Sequence, residues 1–425
     1  MEHQKQRQKI GVVGSGISGI LSAYLLSREH DVTLLEANRY VGGHTNTIVI
    51  ERGPDAGLPV DTGFIVLNDK TYPTLHRFLA ELGVPVRYAD MSFSLWDVQS
   101  GFQYGSRNLQ HLFAQRRNIL NPRFLKMLLD VRRFWTVAGK DLDGGQLGDE
   151  TLRSWLLRHR FTGGVVEDYL VPISAAIWSS PSKAMMDFPI ITFLNFFKNH
   201  GLLRYLEQPR WQTVVGGSFA YVKRFQERFK GTVKVDAAVQ SVRRTAEEVY
   251  VRTRGGEDLR FDQIVIAVHA DEVLPLLSDP SSEERDAFSP WSYQRNHTVL
   301  HTDSTVLPPL RSAWASWNYV RERAEDGSEP VSLTYHMNNL QGFTSAQQYC
   351  VTLNPRRDID PSSVVREIQY THPVYTPAAM RSQAVISGFR GTRRTWYAGS
   401  YLGFGFHEDA ARSAAEVAKG FGIKF

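Results

Sequence analysis

Short apolar runs set off by polar turns give the first forty residues their rhythm. Ile10-Gly11-Val12-Val13 predicts a buried strand, residues 20–28 a helix, and Val32-Thr33-Leu34-Leu35 a second buried strand. Strands that are apolar throughout, with a helix between them, belong to a parallel sheet covered on both faces. Residues 233–242 alternate as a single strand would, and Phe261-Asp262-Gln263-Ile264-Val265-Ile266-Ala267-Val268 predicts the buried parallel strand that closes the domain. Thr395-Trp396-Tyr397-Ala398-Gly399 and an alanine-rich helix over 408–419 follow near the end. Between these blocks the pattern changes. Residues 71–211 are mostly helical in pattern, whereas 273–389 hold strand-like runs at 331–335 and 349–353. Loops are marked by Asp143-Gly144-Gly145, Asp279-Pro280-Ser281-Ser282 and Glu325-Asp326-Gly327-Ser328. The expected fold class is α/β: a discontinuous domain of 1–70, 212–272 and 390–425, into which 71–211 and 273–389 insert a mixed α+β domain.

The first strand runs into Gly14, Gly16 and Gly19 at G-x-G-x-x-G spacing, through Ser15, Ile17 and Ser18, and Glu36 follows the second strand. Gly14 permits the tight turn, Gly16 lets the backbone approach a pyrophosphate, and Gly19 lets the helix pack on the strand. The helix N-terminus favours an anion there, and Glu36 is placed to accept from a ribose hydroxyl. Directly after Glu36 and Ala37 comes a second glycine pair, Gly42-Gly43-His44-Thr45. A nicotinamide dinucleotide has no need of it. A flavin dinucleotide is longer and is gripped along its ribityl arm, so a second close-approach site predicts FAD.

On these residues the chain resembles the FAD-dependent amine oxidase and phytoene desaturase superfamily, with His44 where an arginine is usual and Ser400 where many relatives have a glutamate. The resemblance spans residues 9–421 and implies an FAD-binding Rossmann-like domain with an inserted mixed α+β substrate domain, amine oxidase-like. It implies that Asp61-Thr62-Gly63-Phe64 lies beside the flavin ring and that Val214-Val215-Gly216-Gly217-Ser218 returns the chain to the cofactor domain. Val239 would set its backbone against adenine, and Ala267, Gly399, Gly405, Phe406 and His407 would complete the site, the last helix starting under the flavin's pyrimidine edge. The chain also resembles a bacterial flavoprotein subgroup associated with methyltransferases of the cyclopropane fatty acid synthase kind, and is similar to the N-terminal domain of plant cyclopropane synthases. That likeness implies desaturation of a methylated or cyclopropane acyl chain, by hydride transfer to flavin N5. His407, His44 and Asp61 are the candidate proton-handling residues. A flavin amine oxidase, a carotenoid or squalene-type oxidoreductase, and a non-catalytic partner of a lipid methyltransferase remain the alternatives.

Composition narrows this further. With 425 residues, 42% of them hydrophobic, the chain can bury a large core and would ordinarily split into two domains. One cysteine, Cys350, excludes an internal disulfide, and residues 1–9 lack the apolar stretch of a signal peptide, so the expected compartment is the cytoplasm. No eighteen consecutive apolar residues occur, and the 13 histidines show no metal-ligand spacing. Between 106 and 135, Arg107, Arg116, Arg117, Arg123, Lys126, Arg132 and Arg133 interleave with leucines and aromatics, and Asn121-Pro122 is expected to divide two amphipathic helices. Such helices either lie on the inner face of a membrane or pack on the core with a solvated basic face. No nucleic-acid motif accompanies the bases, so nucleic acid is not an expected partner. Aromatics concentrate in the inserted pieces, among them Trp178, Phe188, Phe196 and Trp211, which predicts a greasy pocket for a lipid or other apolar substrate.

Overall fold

The computed structural model describes residues 7–145, 147–148, 150–178, 185–203, 209–322 and 332–425. The loop expected at 325–328, and Val331 of the strand expected at 331–335, lie outside the described residues. At the centre of the cofactor side is a five-stranded parallel sheet in the order Thr232–Lys234, Asp31–Leu35, Lys9–Val13, Gln263–Ile266, Thr395–Tyr397. Ile10, Val12, Leu34, Ile264, Val265 and Ile266 are fully buried in it, which is why those strands read as unbroken apolar runs. The helix Ile17–Leu26 packs against the C-terminal helix His407–Gly420. Ala411, Ala414 and Ala418 recur every three or four residues on the latter's buried side, so the two backbones approach closely.

Three expectations are corrected. Residues 233–242 are two strands: Thr232–Lys234 joins the parallel sheet, the chain turns at Asp236 with φ +52°, and Val239–Arg244 opens a separate antiparallel meander with Val249–Thr253 and Asp258–Phe261. Both strands alternate, so periodicity alone does not show the corner. The parallel strand at 263–266 is not the last of its sheet, since Thr395–Tyr397 pairs outside it. Residues 106–135 hold a single turn, Leu109–Leu112, a 3-10 turn, Arg116–Leu120, and then one long helix, Pro122–Asp143. Asn121-Pro122 starts that helix instead of dividing two: the Asn121 side chain accepts from the N–H groups of Arg123 and Phe124 at 3.1 and 3.3 Å, and Pro122 takes the first helical position.

The inserted domain is built on a seven-stranded sheet, in the order Val364–Val374, Ser292–His301, Cys350–Leu353, Ser332–His336, Trp317–Arg321, Phe93–Asp97, Gln103–Gly105. Only Trp317–Arg321 and Phe93–Asp97 run parallel. The first inserted piece therefore adds two strands to a sheet made mostly by the second. Phe93–Asp97 is buried at all five positions and offers no alternation to recognise. The outer strand Val364–Val374 tolerates Pro373 because it lies at the sheet edge.

One buried ion pair clamps the meander to the parallel sheet. Arg244 meets both oxygens of Glu284 at 2.6 and 2.8 Å, Tyr397 donates to the same carboxylate at 2.6 Å, and Arg244 also reaches Asp279 at 3.1 Å. The guanidinium pulls the Glu284 carboxyl down to about 2 despite its burial.

Candidate cofactor site and its surroundings

Gly14 follows the first strand with φ +94°, a conformation that side chains rarely adopt, and a Cβ there would lie 2.6 Å from the Ala267 carbonyl oxygen. At Gly19 a Cβ would fall 1.8 Å from the Gly14 carbonyl, so the helix is docked on the loop backbone. Gly16 differs. Nothing lies within 4 Å of a Cβ built on it, and it caps the helix Ile17–Leu26 with no side-chain hydrogen bond and no acid in the first turn. An open cradle thus sits over the positive end of a helix, the environment an anion seeks.

The second glycine pair is brought against the first. Gly42 donates its N–H to the Ser15 carbonyl at 3.1 Å, and Gly43, at φ +58°, comes so near that a Cβ would lie 3.1 Å from Gly16 Cα. Glu36 closes the far side. Its carboxylate accepts from the N–H of Ser15 at 3.0 Å, from the Ser15 hydroxyl, and from the backbone and side-chain amides of Asn38 at 2.8 Å each. Residues 236 and 237 pass alongside, Ala237 donating to the Glu36 carbonyl at 2.8 Å, and Val239 is buried two residues on. Ala37 is exposed.

His44 stands where the two domains meet. Its Nε2 lies 3.1 Å from the Thr371 carbonyl oxygen, its ring stacks on Tyr370 with centroids 5.0 Å apart, and the rings of His372 and His269 follow at 5.5 and 5.8 Å. His269 is held face to face with Tyr293 at 4.4 Å, and His372 Nδ1 meets Asn296 at 2.7 Å. His44, His269 and His372 each keep part of their surface open while protein surrounds them, so they line a cleft. Desolvation there pushes His44 and His269 down to about 4 and His372 to about 3; the neighbouring imidazoles add to the shift at His44 and His372. All three are neutral at pH 7. Among the described residues no three of His, Cys, Asp and Glu are grouped to hold a metal ion.

Asp61 lies outside this imidazole group. Its carboxylate accepts from the Ser218 N–H at 2.8 and 3.0 Å, from the Ser218 hydroxyl at 2.9 Å, from Thr47 at 2.5 Å and from the Gln341 amide at 3.1 Å. It ties the ribbon of Thr47–Val49 and Pro59–Asp61 to the start of the helix Phe219–Arg228, and burial lifts its carboxyl to about 6. Thr62 accompanies Tyr370 at 2.8 Å, and Gly63 is pressed so close that a Cβ would lie 2.1 Å from the His44 carbonyl oxygen.

The C-terminal helix begins at His407. Its ring stacks on Phe64, its Nε2 lies 3.2 Å from the Thr45 hydroxyl, and desolvation with nearby His44 takes it down to about 3. Gly405 turns at φ +94° beneath Tyr375, and Gly399 donates to Ser413 at 2.9 Å. Phe404 and Phe406 face rings from the insert: Phe196 lies 5.0 Å from Phe406 and 6.0 Å from Phe404, Trp178 lies 4.6 Å from Phe196, and His200 stacks on Phe196 at 3.9 Å. His200 is pushed down to about 4 by burial, so it adds no charge to this wall.

Of the expected residues, the two glycine runs meet at Ser15 and Gly16, and His44, Thr45, Phe64 and His407 touch one another in sequence; Ala37 is exposed, and Asp61 is enclosed by Thr47, Ser218 and Gln341. Tyr370, His372, His269, Tyr293 and Asn296 were not legible as site residues. Tyr370 and His372 share a strand face at i, i+2, the one local sign available.

An FAD molecule fits these features. Its pyrophosphate suits the uncapped helix start and the open space at Gly16, and the partly open cleft at His44 and His407 leaves a path for the rest.

Comparison with known proteins gives the same answer. Residues 17–340 match the flavin containing amine oxidoreductase family. An L-amino-acid oxidase of Mus musculus is 24% identical over 298 residues, covering 67% of this chain and 43% of that protein, so the chain spans less than half of that relative's length. A CLA-producing fatty acid isomerase from P. acnes shares the fold with a TM-score of 0.69 at 15% identity over 99% of both chains. Putrescine oxidase does so with a TM-score of 0.66 at 13% identity, over 98% of this chain and 99% of that one.

Proposed function

The chain belongs to the flavin-containing amine oxidoreductase family and is an FAD-dependent oxidoreductase; from that premise we propose that it desaturates a lipid acyl chain, of the methyl-branched or cyclopropane kind. One observation carries the substrate class. Among the described residues, the rings that meet Phe404 and Phe406 at the entrance of the last helix are apolar or, at His200, neutral. A substrate against that wall is held by apolar contact, as a hydrocarbon chain is. A fatty acid isomerase with the same fold lends the reading support.

Bound FAD supplies a two-electron acceptor for a hydride. The protein excludes water with its aromatic wall, orients the chain, and offers neutral imidazoles for the proton that leaves the adjacent carbon. His44 and His407 are the candidates for that proton. Asp61 already takes donors on both oxygens, and we assign it the positioning of the ribbon beside the cleft.

A second reading, oxidation of an amine, draws on the amino-acid oxidase relative. The two separate in one anaerobic experiment with FAD-loaded protein. Bleaching of the flavin band by methylated or cyclopropane phospholipid, with a new double bond in the product, supports desaturation. Bleaching only by amines, with hydrogen peroxide released in air, replaces it.

A further inference from the structure

Four of the exposed large apolar side chains fall within eleven residues: Ile119 is 52% exposed, Leu120 87%, Leu125 39% and Leu129 70%. They do not belong to the core. The long helix Pro122–Asp143 turns Phe124, Met127, Val131, Phe134 and Ala138 inward, and these account for its packing. Leu125 and Leu129 occupy the opposite stripe, one turn apart, with Arg132 next along it and Ile119 and Leu120 at its foot. Water gains nothing from that arrangement. A contiguous apolar stripe on an outer face marks a surface that meets something.

Charge says what. Residues 107–133 hold seven cations and one acid, Asp130, which is spent on Lys126. Arg107 and Arg123 are paired to acids from elsewhere, Arg107 to Asp90 and Arg123 to Glu167 and Asp168. Among the described residues Arg116, Arg117 and Arg132 have no carboxylate partner, and they flank the leucines. Apolar residues at the centre with unpaired arginines at the margin complement a layer of anionic headgroups over acyl chains. We propose that this face, the turn Arg116–Leu120 with the outer stripe of Pro122–Asp143, seats the protein on an anionic bilayer. No helix among the described residues is long and apolar enough to cross a membrane, so the contact is peripheral. A cavity of about 650 Å³ opens at the same end of the helix, lined by Asn121, Arg123 and Phe124 and, further in, by Phe102 and Tyr319. The docking itself does not depend on the proposed reaction.

Sedimentation of the FAD-loaded chain with vesicles tests this without turnover. Vesicles of phosphatidylcholine and phosphatidylglycerol are expected to pellet the protein, those of phosphatidylcholine alone far less, and added salt to release it. The double variant Leu120→Asn, Leu129→Asn should lose binding, and Arg116→Gln and Arg132→Gln should each weaken it about fivefold. Val385→Ser, an exposed apolar site on the helix Pro377–Gly388, should change nothing, and an unchanged flavin spectrum reports that each variant is folded. Three results overturn the proposal: protein left in the supernatant with both vesicles, undiminished binding by the double leucine variant, or a dimer in gel filtration that this variant dissolves.

Discussion

His407 and Phe64 lie face to face, with ring centroids 3.7 Å apart and planes 14° from parallel. Phe64 is anchored by its own N–H, which donates to the His44 carbonyl at 2.8 Å, and His407 begins the C-terminal helix. The stack therefore fastens the start of that helix to the segment that carries the second glycine pair.

Because desolvation holds His407 near 3, it is neutral throughout the working range. His407→Asn is expected to weaken FAD retention while the rate of flavin reduction keeps its pH profile between pH 5 and 8. Stopped-flow reduction across that range checks this, and a limb of the profile lost with the imidazole would instead place the titration of His407 inside that range.

Gly16 and Gly19 should fail in opposite ways. Gly19→Ala drives a methyl into the Gly14 carbonyl and should destabilise the fold by about 3 kcal/mol or more. Gly16→Ala meets no atom within 4 Å, so denaturant unfolding of the cofactor-free protein should be unchanged while FAD affinity drops at least about tenfold. Equal losses of stability in both would contradict the open cradle.

Glu284→Gln breaks a buried pair and leaves Arg244 with Asp279 alone as counter-charge, at a cost of about 1.5–3 kcal/mol. Urea unfolding measures it. A loss under about 1 kcal/mol would mean that the clamp is solvated.

Acid should destabilise the cofactor-free chain. His44, His200, His269 and His301 are depressed to about 4, and His372 and His407 to about 3, so the unfolded chain binds more protons than the folded one below about 6.5. Their contribution is present above that pH and is lost as pH falls through the folded values. Asp61 and Asp409, both raised to about 6, act in the other direction, favouring the folded state at low pH and losing that contribution as pH rises. Six imidazoles outweigh two carboxyls. The midpoint of thermal unfolding should rise from pH 4.5 to 6.5, and less steeply in His372→Gln.

Much of this site was written in short segments. Gly14, Gly16, Gly19 and Glu36 declare their roles within one strand–helix–strand unit, because the steric needs of a tight turn and a close approach are met by local backbone alone. The central parallel strands were equally legible, since burial on both faces leaves an unbroken apolar run, whereas the edge strand Thr232–Lys234 has none. The corner at Asp236 and the fully buried strand Phe93–Asp97 were not, because one hides inside a continuing alternation and the other has none.

By itself, then, the sequence determined a dinucleotide cradle, its extension toward a flavin, and an apolar insert, each a matter of residues near one another in the chain. Only the tertiary structure decided what faces that cradle. Tyr370 and His372 reach His44 across more than three hundred residues, Asp61 is enclosed by Ser218 and Gln341, and the leucines of the long helix stay outside while its phenylalanines turn in. Such pairings follow from sheet order and helix rotation, and no local rule of spacing fixes either.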